Sequence, residues 1–191
     1  MNTKSLILLL ATFTLVGFPA IGYLIFYCFG EGSLDELILG EIPIILQILI
    51  GFPIGWMAAI LAAKLIETKI MEPVRMKYSN MISELHLNIW QIIFISICAG
   101  VGEEWLFRAF LQPLWGIWIT SLVFVALHGY LNPFDWRMSI YGIYLTLVII
   151  GLGFMFIYWG IWVSAAAHTA IDIVLLIFLT KTPLNHPSET D

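Results

Sequence analysis

The chain has 191 residues, enough for one domain, is 61% hydrophobic and only 11% charged, and carries a net charge of −5. Ordinary soluble proteins are about 25% charged, so this composition excludes the soluble globular class. No basic cluster stands out, which excludes a nucleic-acid partner.

The charge-free runs set the elements: 5–30, 42–63, 85–102, 109–134 and 138–171. A helix needs about 20 apolar residues to cross the hydrocarbon core. The first three runs give one crossing each. The fourth gives one plus a loop at Gly129-Tyr130-Leu131-Asn132-Pro133, and the fifth gives two joined near Trp159-Gly160. The fold class is therefore all-α: a polytopic membrane helical bundle of about six transmembrane helices, near 5–29, 42–66, 86–111, 115–129, 139–158 and 161–180. Residues 1–191 read as a single integral membrane domain. The run 5–30 is too long for the apolar core of a signal peptide and reads as a retained first helix. Segment 67–84 alternates apolar and charged residues and fits either a helix along the membrane surface or a solvated loop. Cys28 and Cys98 fall in apolar spans, expected to pack as small apolar side chains.

The basic residues are one-sided. Lys4, Lys64, Lys69, Arg75, Lys77, Arg137 and Lys181 all fall at one end of the predicted spans, while connection 31–41 has four acids and no base. This predicts both termini in the cytoplasm.

Polar residues inside the spans are the candidates for function. Glu103 and Glu104 are adjacent, Arg108 follows one turn later, and His128, His168 and Asp172 lie in later spans. Ionisable groups at bilayer depth are costly and mark functional sites. Helix rise places Glu103 about 22 Å from the cytoplasmic end, His128 about 15 Å and His168 about 20–25 Å, with Asp172 one turn shallower. Three helices thus bring ionisable side chains to a similar depth. Each alone fits a packing role; the coincidence points to a site. Neighbours on a helix point about 100° apart, so the two glutamates cannot aim at one spot. Glu104 and Arg108 are spaced for an ion pair, which leaves Glu103 to face a cavity. Gly100, Gly102 and the run Ser164-Ala165-Ala166-Ala167 would let helices approach closely there. Trp105 and Phe107 are read as packing residues, and the edge histidines His86 and His186 receive no role.

The run Glu103-Glu104-Trp105-Leu106-Phe107-Arg108 resembles the E-E-x-x-x-R motif of the CPBP family, which includes the type II CAAX prenyl endopeptidases and the bacterial proteins once called Abi. Phe124-Val125-Ala126-Leu127-His128 resembles its F-x-x-x-H motif, and His168-Thr169-Ala170-Ile171-Asp172 its H-x-x-x-N/D motif. The motif-bearing core is 85–180. Two departures occur: Ala109 stands where many members have glycine, and Asp172 where the prenyl endopeptidases have asparagine.

The resemblance implies an intramembrane endopeptidase acting on a membrane-associated peptide or protein; the chain's size and the lack of a targeting tail in it lead us to expect a bacterial inner or plasma membrane. Glu103 with His128 would activate the attacking water, and His168 with residue 172 would stabilise the oxyanion. An ionised aspartate cannot donate as an asparagine can, so Asp172 must be protonated, orient His168, or bind metal. A metal-free mechanism without cofactor is favoured; the alternative is Zn²⁺ held by Glu103, His128, His168 and Asp172. Two other classes compete. One is a non-catalytic membrane protein with a partner-binding or immunity role. The other is a transporter, for which no matched polar set in the first two spans speaks. The oligomeric state is not legible.

Overall fold

The computed structural model describes residues 2–30, 38 and 40–181, so most of the acidic connection 31–41, and His186, lie outside the described residues. Helix α1 spans Thr3–Phe29 and is capped by the Asn2 side chain, which accepts from the Ser5 N–H. Helix α2 spans Ile44–Ile66. A 3₁₀ turn at Lys69–Met71 leads into α3, Glu72–Ser83. Helix α4, Ile89–Glu104, opens on a capping box formed by Asn88 and Gln91. It runs straight into a π-helical stretch, Trp105–Leu111, and then into α5, Gln112–Leu127. Helix α6, Trp136–Trp159, is capped by Asp135; Gly160 separates it from α7, Ile161–Lys181. No strand occurs among the described residues. Five stretches are long and apolar enough to cross a membrane: α1, α2, the 39-residue run Ile89–Leu127, α6 and α7. The protein is a polytopic helical bundle, as its charge-free runs predict.

The predicted spans 86–111 and 115–129 are not separated by a loop. They form one helical run that folds back on itself. The Phe107 and Phe124 rings lie 4.8 Å apart; in a straight helix residues that far along the chain would be about 25 Å apart. The reversal sits at Gly116, whose φ of 75° and ψ of 165° interrupt the helix. The return limb after Gly116 is only about 16 Å long, half of a hydrocarbon core. The following loop completes the return. One cavity is lined by Ile66, Ile95, Met138 and Leu179, so the end of α2, the starts of α4 and α6 and the end of α7 share one level. Lys4 Nζ donates to the His86 carbonyl at 2.9 Å, which brings the start of α1 to that level too. At the opposite end Phe26 meets Phe110, and Gly40 abuts the backbone of Trp159 and Gly160. Six traversals therefore hold, with a short fifth helix among them.

Gly116 adopts a backbone conformation that is essentially glycine-only, and it costs other residues about 1–3 kcal/mol. A methyl there would meet no atom within 4 Å. Gly116→Ala is therefore expected to lower stability by about 1–3 kcal/mol through backbone strain alone. A melting temperature in detergent equal to that of the wild type would refute this.

Small residues hold the bundle together. A Cβ on Gly51 or Gly55 of α2 would collide with the carbonyls of Val163 and Ala167 of α7. Gly100 packs on Ala165 and Thr169, and Gly102 on the Thr14 backbone of α1. The Gly100, Gly102 and Ser164–Ala167 contacts follow the sequence reading; the glycine face of α2 was not foreseen. Segment 67–84 is a helix rather than a loop and buries Met71 and Val74. Cys98 is fully buried as expected, whereas Cys28 is exposed on α1.

Candidate active site

The site is built where the folded run 89–127 meets α7. Glu104 and Arg108 lie one turn apart across the junction of α4 and the π-helical stretch, and both are fully buried. Arg108 donates from Nε to Glu104 Oε2 at 3.0 Å and from Nη1 to Gln112 Oε1 at 3.2 Å. Gln112 in turn donates to the Gly153 carbonyl of α6 at 3.1 Å. A polar rod thus links α4, the π-helical stretch, α5 and α6 inside an apolar bundle. Phe124 closes it, with the Arg108 guanidinium carbon 5.9 Å from its ring centre. The ion pair is the one read from the sequence.

Glu104 has a second partner that the sequence reading did not supply. Its Oε1 accepts from His168 Nδ1 at 3.0 Å. The carboxylate therefore fixes the orientation of His168 and turns its Nε2 away. Asp172 Oδ2 lies 3.7 Å from that Nε2, outside ordinary hydrogen-bond range. Of the three acids near His168, Glu104 makes the bond that orients the ring.

Glu103 points the other way, as its helical phase requires. Its Oε2 lies 3.4 Å from His128 Nε2 and 3.9 Å from His168 Nε2, and it has no closer hydrogen-bond partner. His128 is held by Phe124, four residues earlier. Its Nδ1 donates to the Phe124 carbonyl at 2.8 Å, and its ring stacks on the Phe124 ring at 4.4 Å and 25°. The Phe124 edge also meets His168, at 5.7 Å and 72°. Phe124 thus sets both histidines, a role that its place in the motif does not reveal.

These side chains line a chamber of about 140 Å³ together with Tyr130, Asp172 and the apolar residues Val125, Leu145, Ile149 and Ile171. Every site residue predicted from sequence is therefore close to it: Glu103, His128, His168 and Asp172 line it, and Glu104 and Arg108 stand behind. Trp105 and Phe107 do not line it and pack instead, Trp105 against Trp162 and Phe107 against Phe124. Gln112 and Tyr130 were missed. A lone amide in an apolar run was the available signal for Gln112; Tyr130 sits in what reads as a connection.

The electrostatics follow from the donors already spent. Each histidine commits Nδ1 to an acceptor, so a neutral ring presents the Nε2 lone pair to the chamber. With both rings neutral, two ring nitrogens and the Glu103 carboxylate converge as acceptors on one small space; a second proton on His168 turns its Nε2 into a donor. Such a cluster takes a proton donor such as water, or a cation. Among the described residues, no group of three or more His, Cys, Asp or Glu is arranged to hold a metal ion.

Comparison with known proteins gives the region an independent relationship. Residues 85–174 match the family described as Type II CAAX prenyl endopeptidase Rce1-like. The chain is also 38% identical over 89 residues to the uncharacterized protein YpbD of Bacillus subtilis. That alignment covers 46% of this chain and 44% of the relative, so the chain spans less than half the length of the curated relative it matches. No solved structure matches the chain. Residues 85–174, which hold Glu103, Glu104, Arg108, His128, His168 and Asp172, carry the pattern of the Rce1-like type II CAAX prenyl endopeptidase family.

Proposed function

We propose that this protein is an intramembrane endopeptidase that hydrolyses a peptide bond of a membrane-associated peptide or protein. The observation that carries this reading is the convergence of Glu103, His128 and His168, from three separate helical limbs, on one chamber within the bundle. Glu103 and His128 together accept the proton of the attacking water, which adds its oxygen to the scissile carbonyl. The proton passes to the leaving nitrogen as the C–N bond breaks. His168, held by Glu104, faces the oxygen that becomes negative. To donate from Nε2 while Nδ1 stays bonded to Glu104, it must carry both protons. General-base catalysis by a positioned carboxylate contributes about 10²–10⁴-fold. The Rce1-like pattern over residues 85–174 supports the same reaction class.

All seven bases outside the site lie at the end shared by Lys4, Arg137 and Lys181. By the positive-inside rule we assign this end, with both termini, to the cytoplasm of a bacterial inner or plasma membrane.

Asp172→Asn tests the mechanism. In the metal-free reaction the amide can donate where the carboxylate cannot, so activity should survive or rise. Wild type should be indifferent to a strong chelator, and the purified protein should hold no stoichiometric zinc. Wild type that loses activity to chelator and regains it with Zn²⁺, together with an inactive Asp172→Asn, would overturn the metal-free reaction in favour of a Zn²⁺ site. A substrate is best sought by comparing the membrane peptides of cells carrying wild type with those carrying Glu103→Ala. One peptide that changes length is the expected result; identical peptide sets would refute proteolysis.

A further inference from the structure

A second cavity, of about 260 Å³, lies against the first and shares Tyr130, Asp172 and Leu175 with it. Its wall is otherwise almost wholly apolar. Tyr130 therefore stands in the partition between a polar chamber and an apolar one. It is braced on several sides. Its ring lies parallel to the His128 ring (2° between planes, centroids 6.2 Å apart), edge-on to Tyr141 at 5.7 Å and tilted against Tyr78 at 6.4 Å. Its N–H donates to the Val125 carbonyl at 3.2 Å, and Gly142 lets α6 press against its own carbonyl. A tyrosine fixed in this way loses little freedom when it binds a ligand.

Among the described residues that line the chamber, this phenol is the one neutral side-chain donor not already committed. His128 and His168 have committed Nδ1, Glu103 is the base, and Asp172 as a carboxylate only accepts. Attack on a carbonyl places negative charge on its oxygen, and a donor aimed there is the largest single stabilising element in such reactions. We propose that the Tyr130 hydroxyl donates to the oxygen of the scissile carbonyl and fills the place that Asp172 leaves open. The inference rests on the endopeptidase reading. Tyr130 keeps its proton throughout: water adds to the carbonyl carbon, Glu103 and His128 take and return the water's proton, and the C–N bond breaks with the phenol still bonded to oxygen.

The test uses the purified full chain in detergent micelles, with quenched-fluorescence peptides of apolar sequence as the probe. Tyr130→Phe keeps every ring contact and removes only the hydroxyl. The expected result is a fall in kcat of about 10²–10³-fold, the usual cost of one oxyanion donor, with KM and melting temperature unchanged. Asp172→Asn added to Tyr130→Phe should recover at least about tenfold, since its amide supplies a donor again. A purely packing role would leave kcat unchanged in Tyr130→Phe, and Asp172→Asn would then change the rate by the same factor with or without the hydroxyl. Tyr130→Phe within threefold of wild type overturns the proposal, as does a loss of activity that tracks a lower melting temperature or that Asp172→Asn does not relieve. Glu103→Gln run in parallel separates the two ideas. Cleavage that depends on Glu103 but not on the Tyr130 hydroxyl sinks only the tyrosine's role; the absence of any Glu103-dependent cleavage sinks the endopeptidase reading with it.

Discussion

Glu103→Gln should abolish cleavage, with a loss of about 10²–10⁴-fold, while leaving protein abundance and melting temperature near those of wild type. The substitution keeps the side chain's size and removes its basicity. Glu103 makes no bond that holds the fold: its Oε2 has no hydrogen-bond partner and faces two ring nitrogens at 3.4 and 3.9 Å. An amide oxygen there remains an acceptor but cannot take the water's proton. The measurement is cleavage rate alongside thermal unfolding in the same detergent. Wild-type turnover by Glu103→Gln would remove the base from the mechanism.

Arg108→Ala should act in the opposite manner, on folding before chemistry. Glu104 and Arg108 are both wholly buried and bonded at 3.0 Å. Breaking a buried pair from one side costs about 3–5 kcal/mol, because the remaining charge is stranded. Arg108 also bonds Gln112, which bonds α6, so the loss spreads beyond the pair. Low abundance in membranes and a lower melting temperature are the expected results. Adding Glu104→Gln should recover part of the stability, since the stranded charge is then gone. It should not recover activity at wild-type rate, since Glu104 orients His168. A stable but inactive Arg108→Ala would make the arginine a participant in the reaction itself.

Depth was legible in the sequence because it depends only on where helices begin and on their constant rise. Asn88 starts α4, Gly160 precedes α7, and the arithmetic from those two points brings Glu103 and His168 together. Rotation was legible only locally. The opposed directions of Glu103 and Glu104 follow from one helical step, and the Glu104–Arg108 pair from one turn. What lies beyond one turn was hidden. The π-helical stretch 105–111 changes the phase of every later residue, and no residue type announces it. The Glu104–His168 bond depends on how α7 is rotated against α4, which Gly100 and Ala165 settle by backbone contact. The reversal was expected near 112–114, ahead of span 115–129, because hydropathy counts apolar residues and does not register the break at Gly116. Tyr130 was hidden for a related reason: its neighbours Gly129 and Pro133 mark a turn, and a turn is not where a chamber wall is sought.

The two-sided bond of Glu104 also orders the molecule in time. The Glu104–Arg108 pair, the glycine face of α2 and Glu103 with His128 all come from residues that precede α7 in the chain. Each depends on α7 for completion: Glu104 Oε1 takes its imidazole from His168, and Gly51 and Gly55 pack on Val163 and Ala167. Insertion of a single late helix closes the packing gap, supplies the missing ring and completes the chamber together.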